Sequence, residues 1–187
     1  MAQYEGLSGE QARLREQSER SFYDWLEGIE GQNGLALVRF LRTGQNRRLL
    51  ETAPASRGAH QAWEGGYMEH VRQMMFLGRN LFDLYVASGV IQRLPEEEQF
   101  TASDVLTVIF LHDIEKPFMY YFDEAGQLQT TYKFSKEERK AFRADIIEQY
   151  GFSITPTMHN ALLYVEGVRD EDYVPGARQE QPLAALC

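Results

Sequence analysis

The sequence predicts an all-α fold, and three observations carry that prediction. Apolar residues recur at spacings of three and four nearly throughout, capping-box pairs stand ahead of apolar runs, and glycine or proline punctuates the places where those runs stop. The chain of 187 residues, 1–187, reads as one helical domain without internal repeat or low-complexity linker. At this length roughly 70% of the unfolded chain's surface can be buried, so a chain that is 43% hydrophobic builds its core without staples.

Ser8 and Gln11 have the form of a first capping box, and Leu14, Phe22, Trp25, Leu26 and Ile29 supply one apolar face of a helix expected to stop near Gly31 to Gly34. Leu35 to Leu41 is a short apolar helix, ended by Thr43, Gly44 and the basic Arg47 and Arg48. Ala53 to Gly58 is a loop by composition. From about Tyr67 to Val86, Val71, Met74, Met75, Leu81, Leu84 and Tyr85 give a long, half-buried helix whose methionines are core filler.

Pro95 and three glutamates form the next connection, and Thr101 with Asp104 caps a helix over Val105 to Leu111. That helix is apolar on nearly all sides, which puts it at the centre, and Pro117 is expected to end it. A small hairpin or irregular excursion is expected around 120–133, where Asp123-Glu124-Ala125-Gly126 interrupts an alternating pattern. Ser135 with Glu138 caps a helix running to Gly151, and Pro156 opens another that runs over Met158, Leu162 and Leu163 to Gly167.

The same composition narrows the function. Apolar stretches such as Val105 to Leu111 fall short of the roughly 20 residues that span a bilayer, so no membrane partner is expected. The start, Met-Ala-Gln-Tyr-Glu-Gly, lacks the basic and apolar regions of a secretory signal, and a single cysteine, Cys187, agrees with a reducing compartment. A cytoplasmic location is the expectation. With 28 acidic residues against 19 Lys and Arg the net charge is −9, which disfavours long nucleic acid and favours a small ligand.

Chemistry-bearing residues concentrate around four histidines, His60, His70, His112 and His159. His112 and Asp113 adjoin at the end of the most apolar helix and offer nitrogen and oxygen ligands to one divalent ion if a bend points both the same way. The other reading of this pair is a histidine capping the last turn through the helix dipole, with Asp113 in solvent. Gly65 and Gly66 immediately precede a helix that carries His70 in its first turns, and paired glycines permit close backbone approach.

Together these pieces resemble the HD superfamily of metal-dependent phosphohydrolases. Pro54-Ala55-Ser56, His60 and Gly65-Gly66-Tyr67-Met68-Glu69-His70 are similar to a "PA… HH… GGLLEH" block of some branches, and Phe110-Leu111-His112-Asp113-Ile114-Glu115-Lys116-Pro117 is similar to "LLHDIGK". The resemblance runs from about Pro54 to the C-terminus, and the first 50 residues add nothing to it. Gln61 stands where that branch carries a second histidine, Glu115 replaces a glycine and brings a carboxylate beside the ion, and Val165-Glu166 replaces a His pair. The family's distal aspartate is not evident. Gln181 to Cys187 resembles the start of the helix that would carry it, so either the chain is a trimmed piece, or Asp170, Glu171 or Asp172 substitutes, or the site is degenerate; trimming is favoured.

The resemblance implies a compact HD-like helical bundle in which His70, His112 and Asp113 bind one ion of manganese, iron, cobalt, nickel or zinc, with magnesium less suited. Such an ion acidifies a bound water and polarises a phosphoryl oxygen, so that hydroxide attacks phosphorus. Within this scheme Asp113, Lys116 and His159 are the catalytic candidates: Lys116 would meet phosphate charge, and His159 would contact phosphate, support the ligands or act as general acid. Substrate contacts are assigned to His60, Arg57 and Lys116. Lys116, His159 and Arg57 also have plain surface readings. Trp63, Tyr67, Tyr120 and Tyr121 are available to stack on a base or to pack the core.

The expected activity is cleavage of a phosphoester in a small phosphorylated substrate, a nucleotide or short phosphodiester. The alternatives are a non-catalytic HD-like module that binds a nucleotide or a partner, and a purely structural helical domain. A homo-oligomer is compatible with every one of them.

Overall fold

A computed structural model describes residues 9, 13, 20–58, 61–164 and 180–187. Among these the chain forms α1 (Phe22–Leu26), α2 (Gly31–Arg42), α3 (Gly44–Thr52), α4 (Gly66–Ala87), α5 (Val90–Arg93), a single 3-10 turn (Glu96–Glu98), α6 (Ala102–Leu111) and α7 (Lys116–Met119). A two-stranded hairpin, β1 (Tyr120–Phe122) and β2 (Leu128–Thr130), interrupts the helices, and α8 (Lys136–Tyr150), α9 (Pro156–Tyr164) and α10 (Pro182–Leu186) follow. The fold is all-α with a small hairpin, as the periodicity requires.

The capping chemistry explains most boundaries. Thr101 and Asp104 exchange hydrogen bonds with each other's backbone at the start of α6, and Ser135 and Glu138 do the same for α8. Gly151 ends α8 in the left-handed conformation. In the hairpin Tyr120 pairs with Thr130 and Phe122 with Leu128, and the Asp123 carboxylate accepts from the backbone N–H groups of Ala125 and Gln127.

Four boundaries differ from the sequence expectation. The Ser8 and Gln11 box lies outside the described residues, and α1 instead begins at Ser21, whose hydroxyl and the Asp24 carboxylate form a complete box of their own. Gly31 opens α2 rather than closing the preceding helix. Thr43 ends α2 as expected, but a further helix, α3, starts at once at Gly44 and carries Arg47 and Arg48; within it Asn46 is buried and donates to the Phe40 carbonyl and the Tyr150 hydroxyl. Pro117 does not end α6, which stops at Leu111, but sits in the first turn of α7, where its missing N–H costs nothing. The stretch from Val165 to Gly167 lies outside the described residues.

The apolar core centres on α6, whose residues Val105 to Leu111 are all buried. Helices α4 and α9 pack against it, and α1, α2 and α3 close the opposite side through Trp25, Phe40 and Leu50. The α4–α6 crossing is close: a Cβ built on Gly78 would lie 2.6 Å from Cδ1 of Ile109, so the absence of a side chain at 78 sets the separation. The short α10 is held by burial of Leu183, Ala184 and Leu186, and it packs on α9 and α4. No described helix is long and apolar enough to cross a membrane.

Candidate metal centre

The segments 53–58 and 61–65 fold back on the start of α4. Ala55 donates its N–H to the Gln61 carbonyl, Gly66 to Trp63 and Tyr67 to Ala53. A Cβ on Gly66 would fall 2.0 Å from the Gln61 carbonyl oxygen, so only glycine fits there. This loop closure fixes the first turn of α4 and, one turn later, His70. Tyr67 is fully buried, with its hydroxyl 3.4 Å from the Phe110 carbonyl, and it ties α4 to the C-terminal end of α6.

His112 follows α6 directly as its C-cap, and the chain turns there, which lets Asp113 share its direction. Among the described residues, His70, His112 and Asp113 form a group whose ligand atoms all lie within 4.8 Å of one another. Asp113 Oδ2 is 3.0 Å from His112 Nε2 and 3.6 Å from His70 Nε2, and the two imidazole centroids are 5.7 Å apart. His112 Nδ1 lies 2.6 Å from the Ile109 carbonyl. A carbonyl only accepts, so the ring donates from Nδ1 and turns Nε2 toward the group; facing the Asp113 carboxylate Nε2 donates, and as a metal ligand it would do so unprotonated.

Electrostatics favour an ionised carboxylate. Burial pushes the Asp113 carboxyl up, but hydrogen bonds from His112 and His70, joined by the charges of His112 and Lys116, more than offset that and hold it well below the usual carboxylate range. Lys116 reaches back one turn to place Nζ 2.5 Å from Asp113 Oδ2. Two imidazole nitrogens and one carboxylate oxygen, held by elements that are already buried, fit a first-row divalent ion and leave coordination positions for water or substrate.

Glu115, expected beside the ion, is not part of this group. It is 1% exposed, and burial pushes its carboxyl above the ordinary value despite the charge of Arg143, whose Nη2 is 3.9 Å away. Arg143 comes from α8, and its guanidinium donates to the carbonyls of His112 and Leu162. It therefore braces the chain at His112 from behind. The sequence reading missed Arg143; the available signal was its place on α8 beside Phe142, Ile146 and Ile147, where a cation needs buried acceptors.

The remaining candidates separate. Arg57 is exposed in the loop, and His60 lies outside the described residues, as do Asp170, Glu171 and Asp172. His159 is exposed on α9 and lines a pocket with Lys140 and Arg143 that includes none of His70, His112 and Asp113. Of the aromatics, Tyr67 is core, Tyr120 is half-buried in the hairpin, and Trp63 and Tyr121 are exposed. Comparison with family models, curated proteins and solved structures returns no match.

Proposed function

We propose that the chain is a metal-dependent phosphohydrolase of the HD type, acting on a small phosphorylated substrate such as a nucleotide or short phosphodiester in the cytoplasm. The observation that carries this reading is the convergence of His70, His112 and Asp113, from two different helix ends, on one point. His70 and His112 would hold a manganese, iron, cobalt, nickel or zinc ion through imidazole nitrogen, and Asp113 would hold it through a carboxylate oxygen. When bound, such an ion supplies Lewis acidity toward a phosphoryl oxygen and lowers the pKa of water.

The protein's own groups account for the rest. The Ile109 carbonyl keeps His112 in one tautomer, Arg143 holds the backbone carbonyl of the same residue, and Tyr67 fixes the spacing of α4 and α6. Lys116 brings the nearest ammonium to the group and meets the negative charge of a phosphate. His159 is a substrate contact in this scheme only for a ligand that extends toward α8 and α9.

A second reading, a metal-free binding module, is favoured by one observation: the Lys116 ammonium already neutralises the Asp113 oxygen that both histidines face. One experiment separates the two. Metal content and phosphate release from a nucleotide panel are measured in manganese, cobalt and magnesium for wild type, His112→Ala and Asp113→Ala. Release that needs metal and disappears in both variants supports the hydrolase; protein that retains no transition metal and releases no phosphate overturns it.

A further inference from the structure

Helices α8 and α9 form an open pocket of about 120 Å³, smaller than the roughly 300–1,000 Å³ of enclosed small-molecule sites, so a ligand seated in it keeps part of its surface in solvent. Lys140, Arg143, Ala144 and Ile147 recur at one-turn spacing along α8, and His159, Leu162 and Leu163 do so on α9, so each helix contributes one face. The lining is mostly apolar, yet it holds two basic side chains and a histidine, and none of its residues carries a carboxyl group. This is a local reversal of sign on a chain whose net charge is −9.

The basic side chains are arranged at two depths. Arg143 is fixed low in the wall by the carbonyls of His112 and Leu162, with Glu115 beside it, whereas Lys140 and His159 are exposed, one on each helix. An apolar floor between two exposed basic groups suits a ligand with a hydrocarbon body and one compact negative head. A neutral apolar ligand would leave the basic rim unused, and a polyanion would meet repulsion from the rest of the surface.

We propose that this pocket binds a small amphiphilic anion, its apolar body against Ile147, Leu162 and Leu163 and its carboxylate or phosphate head between Lys140 and His159. The site is separate from the metal centre and does not depend on the phosphohydrolase reading. It shares with that centre only Arg143, which touches the backbone of His112.

The test is calorimetric titration of the full chain, treated with chelator, with octanoate, octyl phosphate and 1-octanol. The expected result is that at least one of the two anions binds ten-fold or more tighter than octanol, the better of them identifying the head group. In Lys140→Gln/His159→Gln, whose substitutions are at exposed positions, that preference falls to about two-fold or less while octanol binding is retained. Leu163→Glu abolishes binding of all three ligands, with circular dichroism reporting that the helices persist. The proposal is overturned if neither anion binds, if octanol binds as tightly as both, or if the double variant keeps the preference for the anion.

Discussion

The α4–α6 seam and the α8–α9 wall both gather basic side chains, but they do so under opposite conditions. In the seam, His70, His112 and Lys116 surround a buried carboxylate, so charge is compensated within a few ångströms and water is largely excluded. Along the wall, Lys140 and His159 stand in solvent around an apolar floor, with no lining carboxylate to answer them. Buried compensation makes a rigid site in which each partner depends on the others. Open, uncompensated charge makes a site whose members are individually dispensable for the fold.

The sharpest way to break this contrast is to remove its central group. On the proposed phosphohydrolase reading, Asp113→Ala is expected to lower phosphate release by about 100-fold or more; independently of that reading it is expected to destabilise the fold by about 3 kcal/mol, because it leaves the partly buried Lys116 uncompensated. Metal analysis, phosphate assay and urea unfolding read these effects; a variant with wild-type stability would show that the seam is not compensated as described. Next in size, Gly78→Leu should cost about 2–3 kcal/mol through overpacking against Ile109 and Val105, while Gly78→Ala should cost less, since the flexible end of Ile109 must move and Val105 need only give slightly. Thermal unfolding of the pair distinguishes a tight crossing from a loose one.

Arg143→Met is expected to destabilise by about 2 kcal/mol, for it strands the carbonyls of His112 and Leu162 and the buried Glu115. The paired control is Lys140→Met on the same helix, whose effect should stay within about 0.5 kcal/mol. Equal costs at the two positions would erase the distinction between seam and wall.

The alkaline limb offers a gentler probe. Burial pushes the Cys187 thiol up to about 12, from 9.0 for an ordinary thiol. The folded state thus binds the proton more tightly than the unfolded one, so the associated stability is complete below about pH 9 and is lost as pH climbs toward 12. Denaturant unfolding at pH 8 and pH 11 should show a smaller loss for Cys187→Ala than for wild type; identical losses would place the thiol in solvent.

Local chemistry was readable in the sequence at most places where it was complete within four residues, the Ser21 and Asp24 box being the one missed. Thr101 with Asp104 and Ser135 with Glu138 announce α6 and α8, and the glycine pair before Tyr67 announces the long α4. The candidate metal group was legible only through the family resemblance, because the adjacency of His112 and Asp113 and the glycine pair before His70 each had a plainer reading taken alone. What else escaped depends on distant partners. Asn46 is buried in a helix just past an expected stop, where it finds Tyr150, and Arg143 matters because α8 lies behind His112, relations that no window of sequence contains. Glu115 was expected near the ion by adjacency alone, but successive residues in a turn point in different directions, and this one points toward Arg143.

The bare backbone at Gly78 has a reach beyond its own contacts. It lies two turns along α4 from His70, about 12 Å on a helix rising 1.5 Å per residue, and it works as the shim on which the two rods rest. Whatever thickens the shim swings the imidazole of His70 away from that of His112. On the proposed metal-binding reading, the bite of the chelate is a mechanical property of the helix pair, and a graded series of side chains at residue 78 would serve as a dial for which ionic radius the cluster accepts.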